Sequence, residues 1–509
     1  MGYNTLPYLA VFLPLVVIIY QLTASRYRKY VLLVASWVYF YLCSRVLVFY
    51  FIILTVLVWL AGMGIERLAG RKKAQKLLTY VSVGGLFGQL LYLKYFNFFL
   101  GVINLIMSRH TSWTAIPYLN ILVPIGVSYY TLEAVGYLLE IYWGRVGADR
   151  SFATVSLFLG FFPQTMEGPI ARYQDTAEQL KAGHPVTEQH VFDGITRILW
   201  GLMKKVVIAD RLSVVVTELF NNHAKYDGVM IAVAAVSYTM QLYMEFSGVI
   251  DIILGSALLF GVELPENFRQ PFFSQSASEF WRRWHISLGV WLKTYVFYPV
   301  TTSELTMKWN RKARKKYGKY VAKIGTSFLA LTPVWLFNGL WHGANFNYIF
   351  YGIYYLFFLM LEVILEPAKK KFYAVTKADP KSKGWTLFRI LRTWLIIFTG
   401  ELFFRANGFT AGRQMFASMF HNFGLHRLWD GTLLKFGLDR ADWAVIAAGI
   451  AVVFISDVLH EKGISFKAFL AKRSFVVRYL ALYALIFGII IFGAYGSGYQ
   501  KVDLIYAGF

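Results

Sequence analysis

Between Val321 and Leu340 the chain reads VAKIGTSFLALTPVWLFNGL, and it continues Trp341-His342-Gly343-Ala344-Asn345. An apolar run of this kind suits a membrane-crossing helix, which needs about 17–25 residues. Just before it lies a strongly basic loop, Lys308 to Lys319, with seven Lys or Arg. Before that comes Trp281-Arg282-Arg283-Trp284-His285. The chain has nine histidines. Two of them, His285 and His342, sit here beside tryptophan in apolar surroundings. Ionisable groups at membrane depth are costly, so both are functional candidates.

The rest of the chain repeats this pattern. It has 509 residues, 57% hydrophobic, 18% aromatic and only 16% charged. Soluble domains usually carry about 25% charged residues. The expected fold is therefore all-α, a single polytopic integral membrane domain over residues 1–509. It has about eleven or twelve hydrophobic segments, including re-entrant or interfacial helices. The net charge of +23 is concentrated in short loops between apolar runs. That is the positive-inside pattern, and such loops suit anionic headgroups, so membrane lipids are expected partners and nucleic acid is not. The single cysteine, Cys43, excludes an intrachain disulfide, and no Cys/His spacing suggests a metal.

Leu6–Tyr20 reads as a retained first helix. Basic turns at Ser25–Lys29 and Arg67–Lys76 are separated by runs at roughly 30–43 and 47–65, that is, by two crossings. Both turns then face the cytoplasm and the N-terminus faces outward. Further runs cover roughly 78–92, 94–108 and 116–132. Phe152–Phe162 is too short to span and ends in Pro163 and Pro169, so it reads as re-entrant or as an interfacial loop. Gln174–Asp193 reads as a polar surface loop. Apolar runs at roughly 194–218 and 228–245 follow, with Lys204 and Lys205 snorkelling or marking the end of the first. Glu245 and Asp251 are carboxylates in apolar context, either functional or a buried hydrogen-bonded pair that fixes packing.

Ser276 and Glu279 have capping-box spacing ahead of an amphipathic helix, about 277–298, lying along the interface. Runs at about 321–340 and 345–365 place His342 at the vertex between two helices. The last runs are roughly 386–404, 443–458 and 476–496. Histidine is the side chain best suited to move a proton near neutral pH. It could deprotonate an acceptor hydroxyl that attacks an activated acyl group. On these residues alone the chain is a polytopic membrane protein with a histidine-centred site, either enzyme or transporter.

Several motifs narrow this. Glu279-Phe280-Trp281-Arg282-Arg283-Trp284-His285-Ile286-Ser287-Leu288 and Leu340-Trp341-His342-Gly343-Ala344-Asn345 resemble signatures of the membrane-bound O-acyltransferases. So do Val123 to Tyr130, Phe161 to Tyr173, Phe246-Ser247-Gly248 with Asp251, and Pro265-Glu266-Asn267-Phe268. They stand in the family's order across a motif-bearing core at residues 120–355. The tandem Arg282-Arg283 is most similar to the bacterial alginate O-acetylation branch rather than to the teichoic-acid D-alanyl transfer type. Three positions depart from that pattern: Glu245 where aspartate is common, Glu167 where a neutral residue is usual, and Val300-Thr301-Thr302-Ser303 in place of a glycine-rich loop.

The resemblance implies helices around a central tunnel in a bacterial cytoplasmic membrane. A cytoplasmic acyl thioester, acetyl-CoA in this branch, would give its acyl group to a hydroxyl arriving from outside. His342 would be the general base, and His285 would orient the donor or share the proton work. Trp281, Arg283, Trp284, Ser287, Trp341, Asn345, Asp251 and Glu245 complete the candidate site as substrate-binding residues. No bound cofactor or metal is expected. The acetyl group would pass to a partner, an extracytoplasmic esterase-like acetyltransferase, and then to a polysaccharide acceptor. The competing readings are D-alanyl transfer, a transporter using His285, Glu245 and Asp251 as a relay, and a structural scaffold.

Overall fold

A computed structural model describes residues 1–108, 114–343 and 345–495. Ala344, and Gly496 at the end of the last apolar run, lie outside the described residues. Among the described residues the regular structure is entirely helical, with one isolated bridge between Phe268 and Trp284. Seven helices among the described residues are long and apolar enough to cross a membrane. The chain divides into two compact units, and the boundaries fall near residues 198, 248 and 265.

The first unit begins with α1, Pro7–Leu22, whose opening turn is a π-helix. α2 (Ser25–Ser44), α3 (Leu47–Arg67) and α4 (Lys72–Met107) follow. The runs expected at 78–92 and 94–108 are thus one helix. Lys94 and Asn97 do not interrupt it, because their polar ends are satisfied sideways. Lys94 donates to Ser128 Oγ at 3.0 Å. Asn97 bonds both the N–H and the C=O of Leu119, and Asn104 does the same to Ile116. These two asparagines, two turns apart, hold residues 114–123 as non-helical chain alongside α4. The segment expected at 116–132 is therefore no helix until α5, Val127–Tyr142.

α6 (Phe152–Gly160) ends in a buried loop around Pro163, where Gln164 donates to Glu133 Oε1 at 3.2 Å. Glu133 also accepts from the N–H of Ala171, so the broken backbone is satisfied inside protein. The expected surface loop at 174–193 instead holds α7, Tyr173–Ala182, and the start of α8, Glu188–Leu202. A π-helical stretch, Met203–Ala209, joins α8 to α9, Asp210–Asn221. α10 spans Gly228–Leu258.

In the second unit, α11 (Ala277–Arg283) and α12 (Ile286–Leu292) replace the single amphipathic helix expected at 277–298. Ser276 caps α11 by accepting from the N–H of Glu279 at 3.2 Å. The break falls at Trp284 and His285, the latter left-handed at φ 44°. α13 is Tyr298–Thr301 and α14 is Glu304–Trp341. The expected basic loop is helical. It forms the first arm of α14, which reverses at Gly318 (φ 85°) so that Asn310 reaches Thr326 across the two arms.

The second arm of α14 packs antiparallel on α15, Phe346–Ile364. Two glycines set that crossing. A Cβ on Gly339 would stand 2.4 Å from the Tyr348 carbonyl oxygen, and one on Gly352 would stand 2.4 Å from that of Trp335. His342 therefore sits at the vertex of a tight helical hairpin. α16 (Glu366–Thr376), α17 (Lys383–Arg405), α18 (Phe409–His421), α19 (Arg440–Glu461), α20 (Phe466–Ala471) and α21 (Phe475–Phe492) complete the unit.

Candidate active site

His342 directly follows the last turn of α14, and its N–H bonds the Gly339 carbonyl at 3.2 Å. The residue is 4% exposed. Its ring meets Phe404 edge-on at 4.9 Å and Tyr351 at 5.8 Å. Tyr351 donates its hydroxyl to Glu401, a buried carboxylate on α17, at 2.9 Å. The same Tyr351 ring lies 6.2 Å from Trp281. Trp281 also meets Tyr355 and Trp335. One tyrosine thus touches both the histidine of the hairpin and the first tryptophan of the arginine-rich segment.

The Nδ1 atom of His285 is hydrogen-bonded to the side chain of Asn267. Asn267 Oδ1 accepts from the Ser287 backbone N–H at 3.0 Å and from Ser287 Oγ at 3.0 Å. It also lies 3.2 Å from His285 Nδ1. A backbone N–H can only donate, so the Ser287 contact fixes the amide with its oxygen toward both residues. His285 Nδ1 must then carry the proton, and Nε2 holds the lone pair. Nε2 is buried with no hydrogen-bond partner among the described residues. Burial alone pushes the His285 pKa down to about 3, so the ring is neutral across the physiological range. A neutral imidazole with an unprotonated Nε2 can accept a hydrogen bond, but a ring that resists the charge this strongly is a weak base, which suits orienting a partner better than removing its proton.

The backbone around His285 has the same origin. The Asn267 carbonyl accepts from the Ile286 N–H at 3.0 Å, and Arg269 N–H donates to the Arg283 carbonyl at 2.9 Å. Residues 267–269 therefore pair with 283–286 and stop α11 from running into α12. Phe246 packs edge-on against the His285 ring at 4.9 Å.

The remaining candidates divide by what they touch. Trp284 is buried among Tyr243, Phe268 and Phe280, which gives it a packing role. Arg283 is bound by Glu279 at 2.8 Å and by Glu461. Trp341 is buried and stacks on Phe337. Asn345 is exposed at the start of α15. Glu245, next to Phe246, faces Lys205 at 3.2 Å, and Lys205 also holds Asp210 at 2.6 Å. Lys205 is fully buried and Lys204 donates to Ser247 at 2.9 Å, so neither lysine snorkels. Asp251 belongs to the first unit, where Arg197 holds it at 2.5 Å. Each of the two carboxylates pairs with a cation.

Sequence reasoning quoted Asn267 within a motif but gave it no role, and it passed over Tyr351, Phe404, Glu401 and Asn347. Asn347 Nδ2 lies within 3.4 Å of the carbonyls of Phe403, Phe404 and Ala406, tying α15 to the end of α17. Only Asn267 carried a signal, as a polar residue in a turn shortly before the histidine segment.

The chain belongs to the membrane-bound O-acyltransferase family, as its similarity to known proteins shows, and is a multi-pass membrane acyltransferase. The model of that family, described as MBOAT, membrane-bound O-acyltransferase family, matches residues 144–313. The chain is similar to the "Probable alginate O-acetylase AlgI" of Pseudomonas putida, 34% identical over 82% of this chain and 80% of the relative. It is also similar to the protein of the same description from Pseudomonas aeruginosa, 32% identical over 89% of this chain and 80% of the relative. A peptidoglycan O-acetyltransferase from Helicobacter pylori is 28% identical over 67% of this chain and 63% of the relative.

Proposed function

We propose that this acyltransferase moves an acetyl group from a cytoplasmic thioester to a hydroxyl of an extracytoplasmic cell-envelope polysaccharide. The observation that carries the reading is the state of its two histidines. His342 is buried at a hairpin vertex. His285 is neutral, with Nε2 unprotonated. The names of the relatives, alginate O-acetylase and peptidoglycan O-acetyltransferase, support acetyl as the group and a polysaccharide as its destination.

In the proposed reaction His342 takes the proton of the acceptor hydroxyl as its oxygen attacks the thioester carbonyl. The C–O bond forms, the C–S bond breaks, and the proton is returned to the departing thiolate. His285 shares the proton work or orients the thioester, and Trp281 lines the approach through its contact with Tyr351. The immediate acceptor is a separate extracytoplasmic esterase-like acetyltransferase, which passes the group to the polymer. The chain lies in a bacterial cytoplasmic membrane with its N-terminus outside, as the basic turns near residues 25–29 and 67–76 support. The ion pairs made by Glu245 and Asp251 weigh against a proton-relay transporter.

The test is mass spectrometry of ester-linked acyl groups on envelope polysaccharide. Cells would carry wild type, His342→Ala or His285→Ala at equal membrane abundance. Loss of acetyl esters with His342→Ala is the expected result. Loss of D-alanyl esters would change the group transferred, and unchanged esters in both variants would overturn the proposal.

A further inference from the structure

The reversal at Gly318 creates a cleft in the second unit that the acyl-transfer residues do not use. It lies between the two arms of α14 and the end of α13, with a volume of about 530 Å³. Thr301, Thr306, Asn310, Arg311, Arg314 and Lys315 line it. Asn310 bridges the arms by donating to Thr326 Oγ1 at 3.0 Å. The one carboxylate of the first arm, Glu304, is engaged by Lys308 at 3.2 Å and does not line the cleft. Arg311, Arg314 and Lys315 make no ion pair among the described residues. The wall thus combines three cations with hydroxyls and an amide, and contains no acidic group.

Like charges gathered in one concave site repel, and an anion relieves that repulsion. The guanidinium fork matches phosphate oxygens two at a time, and neighbouring hydroxyls add neutral donors. The size fits more than an isolated inorganic ion, since small-molecule sites run from about 300 to 1,000 Å³. Leu305 and Tyr317, 70% and 55% exposed, stand on the same arm among its lysines and arginines. That mixture of exposed apolar and basic side chains suits a helix lying at a membrane surface.

We propose that this cleft binds a phosphate-bearing anion. Two sources share that chemistry: the headgroup of an anionic phospholipid, and the phosphorylated handle of a soluble thioester donor. The proposal stands on the cleft alone and survives if acyl transfer is disproved.

The experiment uses the full chain in nanodiscs. Coenzyme A is titrated calorimetrically into protein in phosphatidylcholine discs. Phosphatidylglycerol binding is read separately by native mass spectrometry. The variant Arg311→Gln/Arg314→Gln/Lys315→Gln is compared with Lys369→Gln/Lys371→Gln/Lys381→Gln, an equal charge change elsewhere. The cleft variant should weaken one probe by about tenfold or more while the control stays within about twofold. Loss of coenzyme A binding alone names the soluble source, and loss of phosphatidylglycerol binding alone names the lipid. If the triple variant does not fold, Arg311→Gln and Arg314→Gln singly should each weaken the same probe by about threefold. No binding by wild type, no change in the cleft variants, or equal weakening in the control overturns the proposal.

Discussion

The Oδ1 atom of Asn267 lies 3.2 Å from Nδ1 of His285, and because that oxygen also accepts the Ser287 backbone N–H, it dictates which ring nitrogen is protonated. Replacing Asn267 with leucine removes an acceptor shared by three donors. The expected cost is about 1–3 kcal/mol of stability, from buried groups losing their bond, measured as a lower Tm in detergent. Asn267→Asp acts differently. A carboxylate beside Nδ1 favours the charged ring, so the acidic limb of the pH–rate profile should move to higher pH. An unmoved limb with reduced Tm would reduce Asn267 to a packing residue.

His285 also links stability to pH. In the unfolded chain it takes up a proton near pH 6.5. Folded, it does so only at about 3, because burial opposes the charge. Between those values the unfolded state binds more protons, so stability falls as pH is lowered. Above about 6.5 the effect vanishes. Unfolding wild type and His285→Gln at pH 7.5 and pH 5 should show a smaller acid-induced loss in the variant. Equal losses would mean the ring is reached by water and titrates normally.

Lys205 offers a test of the packing role of Glu245. Lys205→Met removes the cation facing both Glu245 and Asp210, at a cost of about 3–5 kcal/mol. Adding Glu245→Gln should restore part of that loss, whereas Glu245→Gln alone should leave acyl transfer within a few-fold of wild type. A collapse of activity with Glu245→Gln in a protein of normal Tm would put that carboxylate into the chemistry.

Gly352→Val tests the hairpin. Its Cβ would stand 2.4 Å from the Trp335 carbonyl oxygen, on backbone that cannot rotate away. Overpacking costs about 1–3 kcal/mol even against movable side chains. The variant should therefore lose its monodisperse peak in size-exclusion chromatography, while Ile353→Val, on the exposed face beside it, should not.

The hydrophobic periodicity made most long helices readable, and the vertex position of His342 followed from counting runs between basic stretches. Other features depended on distant partners. Asn97 and Lys94 look like interruptions until Leu119 and Ser128 are seen to satisfy them. The pattern from Trp281 to Leu292 fits one helical face, yet Asn267 intercepts the N–H groups that would have continued the helix. The charges of Lys308–Lys319 suggested a solvated loop, but lysine and arginine are good helix formers and Gly318 supplies the reversal. Both histidines were legible beside their tryptophans. Tyr351 and Glu401 were not, because one is a tyrosine in a run full of aromatics and the other a lone acid far along the chain.

The Gly339–Gly352 crossing carries a lesson for redesign. His342 gets its address from main-chain contacts between α14 and α15 and from Asn347, which fastens α15 to the turn after Phe404. Opening space beside His342 is therefore a matter of trimming Phe404, whose ring faces the histidine. Recutting the hairpin would displace the histidine together with everything it was meant to accommodate.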